Sequence, residues 1–168
     1  MNDLSTEEIK TIATEISKFM YQLHHINFQN EQIFQTKNIG LNLTDFLNEL
    51  LNVHVKEENK VFWKYDEFRK KDHNTLVHGD LNSSNILLDE NNHIAAIIDF
   101  GFGGFGNPYF DIARIIGRCP NTFKDEIISS YENFSHIKLD NNIIDGEIQI
   151  WKDIDNSYID YMKDIGIY

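Results

Sequence analysis

Residues 75–101 read TLVHGDLNSSNILLDENNHIAAIIDFG, and the reading of this stretch decides the fold. It carries two polar clusters on short apolar runs. The first is His78-Gly79-Asp80-Leu81-Asn82-Ser83-Ser84-Asn85 and the second is Asp99-Phe100-Gly101. Asn85 follows Asp80 by five positions, and Asp99 follows Asn85 by fourteen. Leu76-Val77, Ile86-Leu87-Leu88 and 94–98 are the apolar runs, and Asp89-Glu90-Asn91-Asn92 has the composition of a turn. The pattern predicts a hairpin of 86–88 with 94–98. Such a hairpin places Asn85 and Asp99 together at the ends of its two strands.

Taken singly, Asp80 or Asn85 is an ordinary turn residue, because Asp, Asn and Ser side chains hydrogen-bond locally in turns. The order and spacing of the whole set point further, to phosphoryl transfer, which asks a protein mainly for positioning and electrostatics. Asp80 is the carboxylate that orients or accepts the proton of an acceptor hydroxyl. Asn85 offers a neutral amide oxygen and Asp99 a charged carboxylate, a fitting pair for magnesium. That ion takes oxygen ligands and retains waters and phosphate oxygens, so two protein ligands suffice. A metal-dependent hydrolase built on His78, Asp80, His93 and Asp99 is a rival reading, and it requires those four to converge.

Outward from this centre, 101–106 is GFGGFG, which matches G-x-G-x-x-G. A dinucleotide site would need it in a parallel βαβ unit with an acid about 20 residues later. The preceding run reads as half of a hairpin and the following region as helix, so a loop beside the metal site is expected instead. A strongly apolar helix begins near Pro108, since proline is tolerated in the first turn. Further amphipathic helices are expected over 122–134 and 141–165, the latter in one or two pieces with a weak point at Gly146. Towards the N-terminus, 4–26 has a helical stripe of Ile9, Ile12, Ala13, Ile16, Phe19, Met20 and Leu23. Ser5 and Glu8 are spaced as a capping box, and Leu4 and Ile9 as its staple. His24 and His25 end this helix, and adjacent helical residues do not face one another, so a structural or surface role is expected rather than a metal site. A loop over 27–42 and helices over 44–55 and 57–70 complete the pattern. The fold class is α+β and mainly helical, with one small hairpin carrying the catalytic loop, and 1–168 reads as a single unit.

The totals set limits. The chain has 168 residues, 41% hydrophobic and 25% charged, as in a globular protein with a real core. A net charge of −12 argues against a nucleic-acid partner and suits a cationic small substrate. Cys119 is the one cysteine, which excludes an intrachain disulfide and a Cys-rich zinc site. No run approaches the ~18 apolar residues of a membrane span. MNDLSTEEIK lacks the features of a signal peptide, so the cytoplasm is the expected location.

The runs HGDLNSSNILLD, IIDFG and GNPYFDIARII resemble the C-terminal lobe of aminoglycoside phosphotransferases and related small-molecule kinases, whose fold is similar to that of protein kinases. LSTEEIKTIATEISKFMYQLHHI resembles the first helix after the hinge of that family. The resemblance implies that Asp80 is the catalytic base and that Asn85 and Asp99 are the magnesium ligands. It further implies that His78 and Asp111 brace the catalytic loop from behind. The donor would be ATP or GTP and the acceptor a small, cationic, aminoglycoside-like hydroxyl compound, with antibiotic resistance as the associated role. Asn107 stands where the family often has Asp. The family's N-terminal β-rich lobe, with its phosphate-covering loop and nucleotide-pairing lysine, has no counterpart in these residues, so the chain reads as a truncated or split C-terminal lobe, with a separate N-terminal lobe as a candidate partner. A module that retains the motif without turnover is the alternative.

Overall fold

The structure, a computed structural model, describes residues 4–27 and 75–164. The described elements are α1 (Thr6–His24), β1 (Thr75–Val77), β2 (Ile86–Leu88), β3 (Ile94–Ile97), β4 (Gly104–Gly106), α2 (Tyr109–Arg118), α3 (Lys124–Ser135) and α4 (Asn141–Asp164). The helices expected over 44–55 and 57–70, and the loop over 27–42 beyond Asn27, lie outside the described residues.

Helix α1 begins where its cap chemistry directs. The Ser5 hydroxyl accepts from Glu8 N at 3.3 Å while Ser5 N donates to Glu8 Oε2 at 2.7 Å, the reciprocal capping box. Ile12, Ala13, Ile16, Met20 and Leu23 then turn one apolar face inward, and Leu4 and Ile9 pack against the same core. That face meets α3, which contributes Ile127 and Tyr131, and α2, which contributes Ile112, Ile115 and Ile116. Burial of one such Ile side chain stabilises the fold by about 1.5–3 kcal/mol. Helix α2 packs in turn on α4, which runs without interruption through Gly146. Among the described helices none is long and apolar enough to cross a membrane.

The sheet content is two antiparallel pairs, β2 with β3 and β1 with β4. The first is the expected hairpin, with Ile86 opposite Ile97 and a register irregularity at Leu87/Leu88. The second was not expected, because 101–106 reads as a loop. Instead Gly104–Gly106 pairs residue by residue with Val77–Thr75. A Gly-Phe-Gly strand has no periodic apolar signal, and only its partner makes it a strand. Its antiparallel pairing also removes the parallel βαβ setting that a dinucleotide-binding glycine motif requires.

One buried carboxylate ties these layers together. Asp111, on α2, is fully buried. Its Oδ2 accepts from His78 N at 2.8 Å and its Oδ1 from Gly79 N at 2.9 Å. Oδ2 also meets His24 Nε2, the last residue of α1, at 3.1 Å. An ionised carboxylate only accepts, so Nε2 donates to it, and the other ring nitrogen, Nδ1, meets the Tyr131 hydroxyl of α3 at 2.9 Å. Burial, and after it the Asp111 charge, pushes the Tyr131 hydroxyl well above the ordinary phenol range, which keeps it protonated. Three helices and the segment after β1 thus meet at one anion.

The hairpin is held to α1 from outside by Glu8 and Glu15. Glu8 Oε1 accepts from Asn92 Nδ2 at 2.6 Å. Glu15 accepts from His93 Nδ1 at 2.6 Å and from Ile94 N at 2.8 Å. Partial burial opposes ionisation of Glu15, but the Ile94 and His93 hydrogen bonds outweigh it and hold its carboxyl below the ordinary value. The hydrogen bond to Glu15, and then its charge, raises the imidazole of His93.

Two outcomes follow for stability. Asp111→Ala, which orphans two backbone N–H groups and the His24 ring in the core, should cost about 3–5 kcal/mol in urea unfolding followed by circular dichroism. Asp111→Asn should cost less, because its amide oxygen still accepts. The raised His93 contributes stability that is complete below the ordinary imidazole value of 6.5 and fades as pH rises through its folded value. The lowered Glu15 contributes stability that is complete above 4.5 and fades as pH falls. The thermal-stability difference between the natural chain and His93→Ala should therefore be largest between pH 4.5 and 6.5 and shrink by pH 9; a difference that is flat with pH rules the pair out.

Candidate active site

The segment between β1 and β2 is built to hold Asp80 still. Gly79 sits at φ 84°, and a Cβ there would lie 2.1 Å from the Phe102 carbonyl oxygen, so only glycine fits. His78 before it is fully buried. Its Nε2 donates to the Ile98 carbonyl at 2.9 Å and its Nδ1 accepts from Asp80 N at 3.3 Å. The bond to Ile98 links the start of the loop to the residue before Asp99. After Asp80, Asn82 caps a short turn by accepting from Ser84 N at 2.9 Å. Asn85 closes the loop by donating Nδ2 to the Asp80 carbonyl at 2.9 Å.

Asp80 and Asn85 are in direct contact, and the hairpin sets Asp99 one residue beyond the backbone partner of Asn85. Ile98 N donates to the Asn85 carbonyl at 3.0 Å, so the hairpin brings the residue before Asp99 against Asn85 itself. Asp99 adopts a left-handed backbone at φ 63°, a conformation disfavoured for residues other than glycine, and is exposed. The donor set fits a hard cation. The Asn85 amide is oriented by donating to Asp80, which leaves its Oδ1 without a hydrogen-bond donor among the described residues. The Asp99 carboxylate accepts one long bond, 3.4 Å, from Gly101 N. Two oxygen donors are thus available, as a magnesium ion with a nucleotide requires.

The rival four-residue hydrolase is not assembled. His78 is spent within the core, and His93 is turned to Glu15 on α1. No cluster of three His, Cys, Asp or Glu suited to a metal occurs among the described residues. Burial pushes the Cys119 thiol up to about 11, which removes it as a nucleophile at neutral pH. Asn107 takes a capping role, accepting from Tyr109 N at 3.0 Å in the first turn of α2.

Several participants were not anticipated from sequence. His24 takes the structural of its two expected roles, and the unanticipated part is its buried link to Asp111. Arg114 is a further such participant. Its Nε donates to Asp80 Oδ1 at 2.8 Å, and its Nη1 donates to both oxygens of Asp155 on α4, at 3.0 and 2.8 Å. Its guanidinium carbon lies 4.4 Å from the centre of the Trp151 ring. Arg118 Nη2 holds the same Asp155 at 2.6 Å. A signal existed in the sequence: one arginine inside the apolar run IARII needs a buried counter-charge.

With this geometry in view, the relatives are informative. The model of the phosphotransferase enzyme family APH matches residues 2–140. An EKC/KEOPS complex subunit of Schizosaccharomyces pombe is 27% identical over 133 residues, which cover 77% of this chain and 53% of that protein. The GDP and kanamycin complex of APH(2″)-IIIa superposes with a TM-score of 0.69 at 17% identity, covering 94% of this chain and 56% of the other. The streptomycin–ATP ternary complex of APH(2″)-IIa gives 0.63 at 19% identity, covering 95% and 60%. The chain thus spans little more than half the length of each of these proteins, and its fold is that of the C-terminal lobe of kinase-like phosphotransferases. By the family match over most of its length, and with the loop, hairpin and bracing carboxylate that its sequence led one to expect, the chain belongs to the APH phosphotransferase enzyme family.

Proposed function

We propose that residues 1–168 form the acceptor-side and metal-side lobe of a phosphotransferase that moves the terminal phosphoryl group of ATP or GTP to a hydroxyl of a small molecule. The observation that carries this reading is the immobilised Asp80, held through its carboxylate by Arg114 and through its carbonyl by Asn85, beside the two available oxygen donors of Asn85 and Asp99.

Asp80 is the catalytic residue. Its Oδ1 is taken by Arg114, so Oδ2, 3.4 Å from Asn85 Nδ2, is the oxygen that receives the acceptor hydroxyl and orients its attack. Asn85 and Asp99 would hold magnesium, which neutralises phosphate charge when the nucleotide is bound. The nucleotide's remaining contacts would come from a β-rich lobe acting with this one. Two neighbours are complexes with kanamycin and with streptomycin, and the net charge of −12 agrees with a cationic, aminoglycoside-like acceptor and hence with a role in antibiotic resistance. A cytoplasmic setting, where nucleoside triphosphates are abundant, suits this chemistry.

One observation favours a second reading, a binding module without turnover. Leu87, Ile98, Phe100 and Phe102 stand exposed around the Asp99 end of the hairpin, an apolar face ready for another folded unit. Calorimetry separates the two: binding of MgATP by the chain, abolished by Asp99→Ala, supports the phosphotransferase, and silence with and without an added β-rich lobe supports the module. In the transfer of labelled γ-phosphate to a panel of aminoglycosides, choline and sugar alcohols, Asp80→Asn should lower the rate by about 10²–10⁴-fold with nucleotide binding retained. Equal rates for Asp80→Asn and the natural chain would remove Asp80 from the chemistry.

A further inference from the structure

The charges around Asp80 cancel in pairs, which the acidity of the chain as a whole does not suggest. Asp80 and Asp155 are the two carboxylates of this cluster, and Arg114 and Arg118 the two guanidiniums that meet them. Arg114 is 7% exposed, lies against Trp151, and spends its Nε and Nη1 on the two acids. Its rigid fork is therefore locked, unlike a flexible lysine that could swing aside. A hydroxyl delivered to Asp80 arrives next to a fixed positive charge 2.8 Å from the receiving carboxylate.

We propose that Arg114 is the specificity-determining residue of the acceptor site, and that it selects a hydroxyl carried on a neutral part of the acceptor, such as a polyol or a sugar carbon flanked by hydroxyls. An ammonium one or two carbons from the reacting hydroxyl finds no uncompensated carboxylate, because Asp80 is already paired with the guanidinium, and it lies close to that guanidinium's own positive charge. Amines on the acceptor are accommodated only at a distance from the reacting hydroxyl. This narrows the acceptor chemistry and rests on the assignment of Asp80 as the group that receives the hydroxyl. Asp155 is a positioning residue here, since it fixes the guanidinium from α4 and does not reach Asp80 itself.

The test uses choline, whose cation lies two carbons from its hydroxyl, as the probe in amide-resolved NMR titrations of the isotopically labelled chain. The natural chain should show no saturable shift at Asp80, Arg114 or Asp155. Arg114→Met leaves both carboxylates without their shared cation and should bind choline at least about tenfold more tightly, an effect that fades with added salt. Arg118→Met alters a side chain that is 47% exposed, so folding is not at stake. It leaves the same excess negative charge and should gain about threefold. Saturable choline binding at these residues in the natural chain, or the absence of any gain in both variants, overturns the assignment. Transfer assays are read separately. If no acceptor is phosphorylated while the choline pattern holds, the phosphotransferase reading falls and the charge selection stands. If the natural chain phosphorylates choline in preference to neutral polyols, the charge selection falls and phosphotransfer stands.

Discussion

The Asp111 carboxylate is the interaction on which the rest of the structure depends. It is a full charge with no solvent contact, and such a charge is tolerable only when donors surround it. The donors come from places far apart in the chain: the end of α1, the backbone after β1 and, through His24, the hydroxyl of α3. The need to satisfy one anion therefore sets where α1, α2 and α3 meet and where the segment carrying Asp80 begins. The apolar faces supply most of the free energy of association, but they are forgiving of small displacements. Hydrogen bonds near 3 Å to a buried charge are not.

From that anchor the geometry is passed outward in short steps. His78 and Gly79 are pinned by Asp111, His78 reaches the Ile98 carbonyl, and Asn85 is tied to both Asp80 and the backbone of Ile98. The side chains of Asp111, His78 and Asn85 in this path are each fixed by hydrogen bonds. A phosphotransfer site gains from this arrangement, because its rate depends on placing groups rather than on intrinsic reactivity. The left-handed backbone of Asp99 is the strained point in the path, and it occurs at a proposed metal ligand, where strain is commonly stored.

A second charge system meets the first at Asp80. Arg114 and Arg118 project from α2 to Asp155 on α4, and Arg114 also touches Asp80. The helix that braces the loop from behind through Asp111 thus also touches Asp80 through Arg114, three residues later and one helical turn along. The packing of α2 on α4 is consequently part of the site as well as of the core.

Much of this was legible in the sequence, for reasons that can be stated. The cap of α1, its buried stripe, the hairpin of β2 with β3 and the spacing of Asp80, Asn85 and Asp99 are all local, and local patterns in cap chemistry, period and turn composition are written in neighbouring residues. Membership of a phosphotransferase family was legible for the same reason, since HGDLNSSN and IIDFG are contiguous. The pairing of Gly104–Gly106 with β1, the bond of His24 to Asp111 and the capture of Asp80 by Arg114 were not. Each joins residues between 27 and 87 positions apart, and a hydrogen bond or ion pair across such a distance leaves no periodic trace in either segment. Thus the sequence by itself determined which groups are present, how they are spaced and the family to which they belong. Only the tertiary structure decided which charges meet, because burial forces each charge to find its partner wherever the packed helices bring one within reach.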